Sequence, residues 1–228
     1  MSWIIATGNE HKRKEFEQIL APLGVTVEPA TEVGLLEVTE WGETFAENAV
    51  IKALEWAIQT RRVCAADDSG LEVRGLDWAP GVISARYAGA ACDDEQNNKK
   101  LLAELAGVGG EGREARYRCV IAIAWPVRGI PTPDLGERQI KGFGPNECGR
   151  IDDYVVRTYD GICLGTIATE RKGDGGFGYD PYFVTLDGRH MAELSDDEKH
   201  AISHRGAALR KAAADIASIP LANGSHLL

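Results

Sequence analysis

Apolar and polar positions fall into blocks that switch between the period of a strand and that of a helix. Residues 3–7 form a short apolar run stopped by Gly8-Asn9, the mark of a buried strand ended by a turn. Across residues 10–23, Phe16, Ile19, Leu20 and Leu23 recur on one helical face. Residues 25–28 read as a second strand. Residues 44–59 give a clearer helix: Thr44 and Glu47 make a capping box, and Ala46, Ala49, Val50, Ala53, Ala57 and Ile58 make its apolar stripe. Residues 63–66 are another apolar run, which delivers Asp67-Asp68-Ser69-Gly70 at its end and leaves residues 71–73 open as a continuation.

Further along, residues 93–106 read as a helix and residues 107–112 as a flexible turn. Residues 117–125 are the longest strand candidate. Strand-like pieces follow near residues 138–142, 153–158 and 163–169. Residues 173–180 form a Gly-rich loop, and Ser195 with Glu198 opens a long helix to about residue 216. Strands and helices alternate at first and then strands cluster, which predicts a mixed sheet with helices on its flanks. No internal repeat or low-complexity linker interrupts the chain, so residues 1–228 read as one domain, with a loosely held tail over 217–228.

Composition narrows the function classes. A 44% hydrophobic content over 228 residues supports a core. The net charge of −10 argues against a nucleic-acid backbone as partner. No basic segment leads into a long apolar run, and no stretch approaches bilayer length, so no membrane partner is expected. The five cysteines show no C-x-x-C spacing, and four read as interior. They fit reduced thiols in a cytoplasm better than a disulfide frame or a zinc site.

Candidate chemistry lies at five places. Thr7, Gly8, Asn9, Glu10, His11 and Lys12 join a strand to a helix N-terminus, which suits phosphate; an ordinary capped helix is the alternative, and no Walker A loop is present. Asp67-Asp68-Ser69-Gly70 places two carboxylates where a hard cation could compensate them, or else forms a polar turn. On a strand the two aspartates face opposite ways and should not share a role. Glu37, Glu40 and Glu43 could add a metal ligand or be a solvated loop, and Lys52 could reach phosphate or be a surface lysine. In residues 175–181, glycines flank Phe177, which could stack on a base or plug the core with Tyr179. Lys199, Ser203, His204 and Arg205 share the predicted C-terminal helix and can donate to phosphate or a purine carbonyl, or pair with neighbours on a mixed surface.

These segments and their order carry a resemblance. Thr7-Gly8-Asn9-x-x-Lys12, Thr44-Phe45-x-Glu47-Asn48-Ala49-x-x-Lys52-Ala53, Ala66-Asp67-Asp68-Ser69-Gly70-Leu71, Ala79-Pro80-Gly81-x-x-Ser84-Ala85-Arg86-Tyr87, Gly176-Phe177-Gly178-Tyr179-Asp180-Pro181, Ala192-Glu193-Leu194 and Lys199-x-Ala201-Ile202-Ser203-His204-Arg205 closely resemble the Ham1-like inosine triphosphate pyrophosphatases. The resemblance implies an α/β fold, with an elongated mixed sheet flanked by helices, two lobes and a central nucleotide cleft. It implies a homodimer. It also implies hydrolysis of the deaminated purine nucleotides ITP, dITP and XTP to monophosphate and pyrophosphate with Mg2+. A related pyrophosphatase of different base preference, or a non-catalytic nucleotide sensor, is the alternative.

Carried over by position, Thr7 to Lys12 would bind the triphosphate. Asp68 would be general base and metal ligand, with Glu40 its partner and Glu37 or Glu43 as substitutes. Ser69, Lys52 and Lys199 would contact nucleotide. Phe177 would stack on the base within a pocket shaped by Gly178, Tyr179 and Asp180, and His204 and Arg205 would meet the base edge. Residues 126–161 stand out as an insertion relative to the family pattern.

Overall fold

The computed structural model describes residues 2–29, 34, 38–127 and 140–215. Among them, the strands β1 (Ser2–Ile5), β2 (Thr26–Pro29), β3 (Cys64–Val73), β4 (Glu114–Pro126), β5 (Cys148–Ile151), β6 (Tyr154–Ile167) and β7 (Phe183–Thr185) share one sheet. Its order is β2-β1-β3-β4-β6-β5, with β7 also on β6. β1 runs parallel to β2 and β3, whereas β6 runs antiparallel to β5 and β7. The helices are α1 (Glu10–Leu20), α2 (Phe45–Thr60), α3 (Asp94–Glu104), α4 (Asp196–Ile202) and α5 (His204–Asp215). The fold is therefore mixed α/β, a single open sheet flanked by helices, as the alternating blocks predict.

The chain forms two compact units. The first draws on Met1–Asp68, Val120–Asp160 and the chain from Ala208; the second on Ser69–Cys119 and Gly161–Ala207. β3, β4 and β6 each contribute residues to both.

In the first unit, β1 registers Ser2 with Thr26 and Ile4 with Cys64, which buries Trp3, Ile4 and Ile5. α2 is buried on almost every side, from Phe45 to Ile51 and again at Ala53, Leu54, Trp56, Ala57 and Ile58. Its buried surface includes the polar Glu47 and Asn48, which must therefore find hydrogen-bond partners inside. Its capping box is present: Thr44 accepts from the Glu47 N–H at 3.2 Å and the Glu47 carboxylate accepts from the Thr44 N–H at 3.1 Å. In the second unit, Leu71, Val73, Leu101, Leu105, Phe183 and Met191 pack in one core with Tyr117 and Tyr179.

Several elements differ from the pattern read from sequence. α1 stops at Leu20, because Pro22 cannot continue it and Ala21–Leu23 tightens into a 3-10 turn closed by left-handed Gly24 (φ 76°). β3 does not end before Asp67; it runs unbroken from Cys64 to Val73, with its polar residues mid-strand. The predicted strand pieces at 153–158 and 163–169 lie largely on one long strand, β6, and β7 went unread because it has only three residues. Of the piece at 138–142, residues 138–139 lie outside the described residues, and Lys141 and Gly142 lie in a turn.

The long C-terminal helix is two helices. Ser203 adopts an extended conformation (φ −65°, ψ 152°) between them, and its hydroxyl accepts from the Gly206 N–H at 3.0 Å, capping α5. Lys199 and Ser203 therefore do not share one helical face. Three cysteines rather than four are interior: Cys64, Cys119 and Cys163 are buried, Cys92 and Cys148 exposed. The predicted tail 217–228 and residues 128–139 of the 126–161 segment lie outside the described residues. No described helix is long and apolar enough to cross a membrane.

Candidate functional site

β3 carries the central problem of this structure. Nine of its ten residues are buried, and the exception, Ser69, is partly so. A strand covered on both faces should be nearly all apolar, yet Asp67 and Asp68 sit mid-strand at 2% and 7% exposure. A buried carboxylate is costly unless charge and hydrogen bonds compensate it. Each aspartate has its own nearest lysine, although Lys12 also acts on Asp68 and Asp67 on Lys52.

Asp67 Oδ2 lies 3.0 Å from Lys12 Nζ, in the first turns of α1. The turn before α1 is organised locally. The Asn9 N–H donates to Thr7 Oγ1 at 3.1 Å, and Asn9 Oδ1 accepts from the Lys12 N–H at 3.3 Å. Gly8, Asn9 and Glu10 are exposed there, and His11 lies on the backbone of α1. Glu10 does not join the aspartates; it pairs with Arg13 at 2.9 Å.

Asp68 is held from α2. Asn48 Nδ2 donates to Asp68 Oδ2 at 3.1 Å, and Lys52 Nζ lies 3.6 Å from Asp68 Oδ1. Lys52 also reaches Glu40 Oε1 at 3.1 Å, so one ammonium sits between two carboxylates. Lys52 is thus an enclosed residue rather than a surface lysine. Burial raises the Asp68 carboxyl above its ordinary value, against the pull of Lys52 and Lys12. Burial also works against the Lys52 ammonium, but Asp68, Glu40 and Asp67 outweigh it and hold that group above its usual range.

The segment carrying Glu40 is tied to the start of α2. Glu47 Oε2 accepts from the Glu43 and Thr44 N–H groups, Glu47 Oε1 accepts from the Gly142 N–H at 2.9 Å, and Asn48 Oδ1 accepts from the Gly42 N–H at 2.9 Å. A Cβ on Gly42 would lie 2.7 Å from both Asn48 Oδ1 and Glu47 Cβ, so this approach requires glycine. Glu43 is exposed, and Glu37 lies outside the described residues.

The donors suit a hard cation. Among the described residues no group of three or more His, Cys, Asp or Glu side chains is gathered for a metal. Magnesium does not need one, since it is held by one or two carboxylates with water and phosphate oxygens. Glu40 and Asp68 already converge on one positive charge, the Lys52 ammonium, so their carboxylates fit such an ion.

A second cluster lies in the second unit, around Asp180, which is 3% exposed. Asp180 Oδ1 accepts from the Tyr117 hydroxyl at 3.0 Å; Asp180 Oδ2 accepts from the Phe177 N–H at 3.0 Å and from Lys199 Nζ at 2.6 Å. Lys199 Nζ also lies 4.6 Å from the centre of the Phe177 ring. Gly176 turns the chain at φ 73°, beside the Asp180 carboxylate. The Phe177 ring is half-buried, while Tyr179 is buried and donates to the Ser84 carbonyl at 2.7 Å. Of the two aromatics, Tyr179 is the core plug. The segment Met191–Glu193 braces the loop, as the Ala192 carbonyl accepts from Gly175 N–H at 3.1 Å and the Ala192 N–H donates to the Asp180 carbonyl at 3.2 Å.

α5 brings the remaining residues. Tyr117 and His204 stack with ring centres 4.9 Å apart, and Arg205, 1% exposed, donates through Nη2 to Ser69 Oγ at 3.0 Å. Tyr117 escaped the sequence reading as a site residue. Its position at the head of the longest strand candidate placed it in the sheet but gave no hint of Asp180 as partner. Burial, with Asp180 beside it, pushes its phenol well above the ordinary value.

Known proteins resemble this chain along most of its length. A model of the Ham1 family matches residues 3–215. The dITP/XTP pyrophosphatase of Desulforamulus reducens is 46% identical over 214 residues, covering 93% of this chain and 94% of that protein. The dITP/XTP pyrophosphatase of Bacillus subtilis is 43% identical over 210 residues, covering 91% and 93%. Among solved structures, a HAM1 protein from Coxiella burnetii superposes with a TM-score of 0.77 at 34% identity, covering 96% of this chain and 100% of that one. The Staphylococcus aureus Ham1 protein does so with a TM-score of 0.75 at 33% identity, covering 96% and 99%.

Proposed function

The chain belongs to the Ham1 family, and from that premise we propose that it is a nucleoside triphosphate pyrophosphohydrolase. Its substrates are the deaminated purine nucleotides ITP, dITP and XTP, cut between the α and β phosphates to remove them from the nucleotide pool. The observation that carries this reading is the pair of buried mid-strand aspartates, each facing its own lysine. A protein that only needed a stable strand would place apolar residues there.

Phosphate binding falls to Lys12, the residues Thr7 to His11 at the start of α1, and Lys52. Their charge and the helix N-terminus favour a polyphosphate. Asp68 is the catalytic base: it orients a water and takes its proton as the water oxygen bonds to the α phosphorus. The bond from that phosphorus to the bridging oxygen breaks, and pyrophosphate leaves. Asp68 and Glu40 would hold a magnesium ion, which supplies charge neutralisation at the phosphate oxygens. Asn48 keeps the Asp68 carboxylate aimed.

Base recognition falls to the second cluster. Phe177 offers a ring face for stacking, Asp180 holds its backbone N–H while Lys199 lies over its ring, and Ser69, His204 and Arg205 supply donors. Hypoxanthine and xanthine carry a carbonyl at position six, where adenine carries an amine. A buried donor facing the amine loses its bond, a mismatch costing about 1–3 kcal/mol. The working form is read as a cytoplasmic homodimer without nucleic-acid or membrane partners. The test is to incubate the protein with ITP, XTP, GTP and ATP, with and without magnesium, and to measure pyrophosphate. Release from ITP and XTP only with the metal is expected; equal rates on all four, or none, would overturn the reading.

A further inference from the structure

Two side chains of α3 have no part in the reading above, yet both reach the residue that follows Phe177. The Gly178 N–H donates to Asp94 Oδ2 at 2.7 Å, and the Gly178 carbonyl accepts from Asn98 Nδ2 at 2.8 Å. Asp94 and Asn98 are four apart and so lie on one face of the helix. Together they occupy both backbone polar groups of Gly178. That residue stands at φ 62°, and nothing lies within 4 Å of where its Cβ would be. No side chain of its own can anchor it, and glycine backbone is the most freely moving of all. The two bonds from α3 supply the anchor.

Asn97, the residue before Asn98, ties down a neighbouring segment. Asn97, 2% exposed, accepts from the Ala88 N–H at 2.7 Å and donates to the Ala85 carbonyl at 2.9 Å. That fixes the segment whose Ser84 carbonyl receives the Tyr179 hydroxyl. α3 therefore grips the tripeptide Phe177-Gly178-Tyr179 directly at its centre and indirectly at its far end. All of these contacts lie inside the second unit.

We propose that Asp94 and Asn98 are positioning residues for the purine end of the substrate. They hold the backbone beside Phe177 so that its half-buried ring keeps one orientation before a base arrives. The inference rests on the reading of Phe177 as the stacking surface. A ring already ordered spares the substrate the entropy of ordering it. The base is stacked alike in the bound substrate and in the transition state, so losing the anchor weakens both equally. KM rises and kcat holds.

Three variants test this with ITP as substrate. Asn98→Asp keeps the shape but removes the donor and sets a carboxylate oxygen against the Gly178 carbonyl. Asp94→Ala removes the acceptor, and Asp94→Asn keeps an acceptor oxygen at the same reach. Asn98→Asp and Asp94→Ala should each raise KM about three- to tenfold, the worth of one hydrogen bond, with kcat within about twofold. Asp94→Asn should stay near the parent. The dissociation constant of IMP, measured by titration calorimetry, should move in parallel and requires no turnover.

Unchanged KM and IMP affinity in both disruptive variants would overturn the proposal, as would a fall in kcat at constant KM, or Asp94→Asn matching Asp94→Ala. Should Asn98→Asp fail to fold, the Asp94 pair still decides. A parent that bound IMP but released no pyrophosphate from ITP would instead sink the catalytic reading, with the IMP titrations still judging α3.

Discussion

Lys199 Nζ lies 2.6 Å from Asp180 Oδ2, with both side chains almost wholly enclosed. The same carboxylate also receives the Tyr117 hydroxyl and the Phe177 N–H. Removing one partner of a buried pair leaves an uncompensated charge, which costs about 3–5 kcal/mol. Asp180→Ala should therefore lower the melting midpoint by roughly 10 °C, since each kcal/mol is worth about 2–4 °C at this size. A shift under about 3 °C by calorimetry would mean that Asp180 does not hold the loop.

Asp68→Asn keeps the size of the side chain and an oxygen for Asn48 or Lys52, but cannot take a proton from water. Loss of a general base costs about 10²–10⁴-fold. The variant should bind ITP with little change while kcat falls at least a hundredfold, read from pyrophosphate release. Near-parental turnover would remove Asp68 from the chemistry.

Arg205 is fully enclosed and bonded to Ser69 Oγ. Arg205→Ala should narrow the preference for ITP over ATP by about tenfold, mostly through a fall in kcat/KM for ITP. The ratio of the two specificity constants is the measurement, and an unchanged ratio would count against this role. Asp68 and Arg205 are far enough apart in function that one variant should move turnover and the other selectivity.

Acid stability has a local origin on β2. The Arg62 guanidinium bonds both oxygens of Glu28, at 2.6 and 2.7 Å, and with Ser2 draws that carboxyl from 4.5 to about 2. The folded value lies below the unfolded one, so the stabilisation is complete above about pH 4.5 and disappears as pH falls towards 2. The pair is partly exposed, so its worth stays under about 1 kcal/mol. Glu28→Gln should lower stability slightly at neutral pH and flatten acid unfolding between those two values, as followed by circular dichroism. Parent and variant curves of equal slope would exclude this pair.

The sequence by itself determined much of the framework. The apolar runs placed β1, β2 and the first half of β3, the capping box placed the start of α2, and ordered motifs pointed to Lys12, Asp68, Phe177 and Arg205. These are local signals, because periodicity and caps act within a few residues along the chain. Only the tertiary structure decided that β3 continues through Asp67 and Asp68, since a polar run reads as a turn until Lys12, Asn48 and Lys52 are brought against it. It likewise decided that Ser203 breaks one helix into two, that Tyr117 serves Asp180, 63 residues away, and that Asp94 and Asn98 reach Gly178 across 84 and 80 residues. Such pairings leave no periodic trace. They depend on which buried polar groups the folded sheet brings within hydrogen-bonding distance, and a buried group must find its partner wherever the chain supplies one.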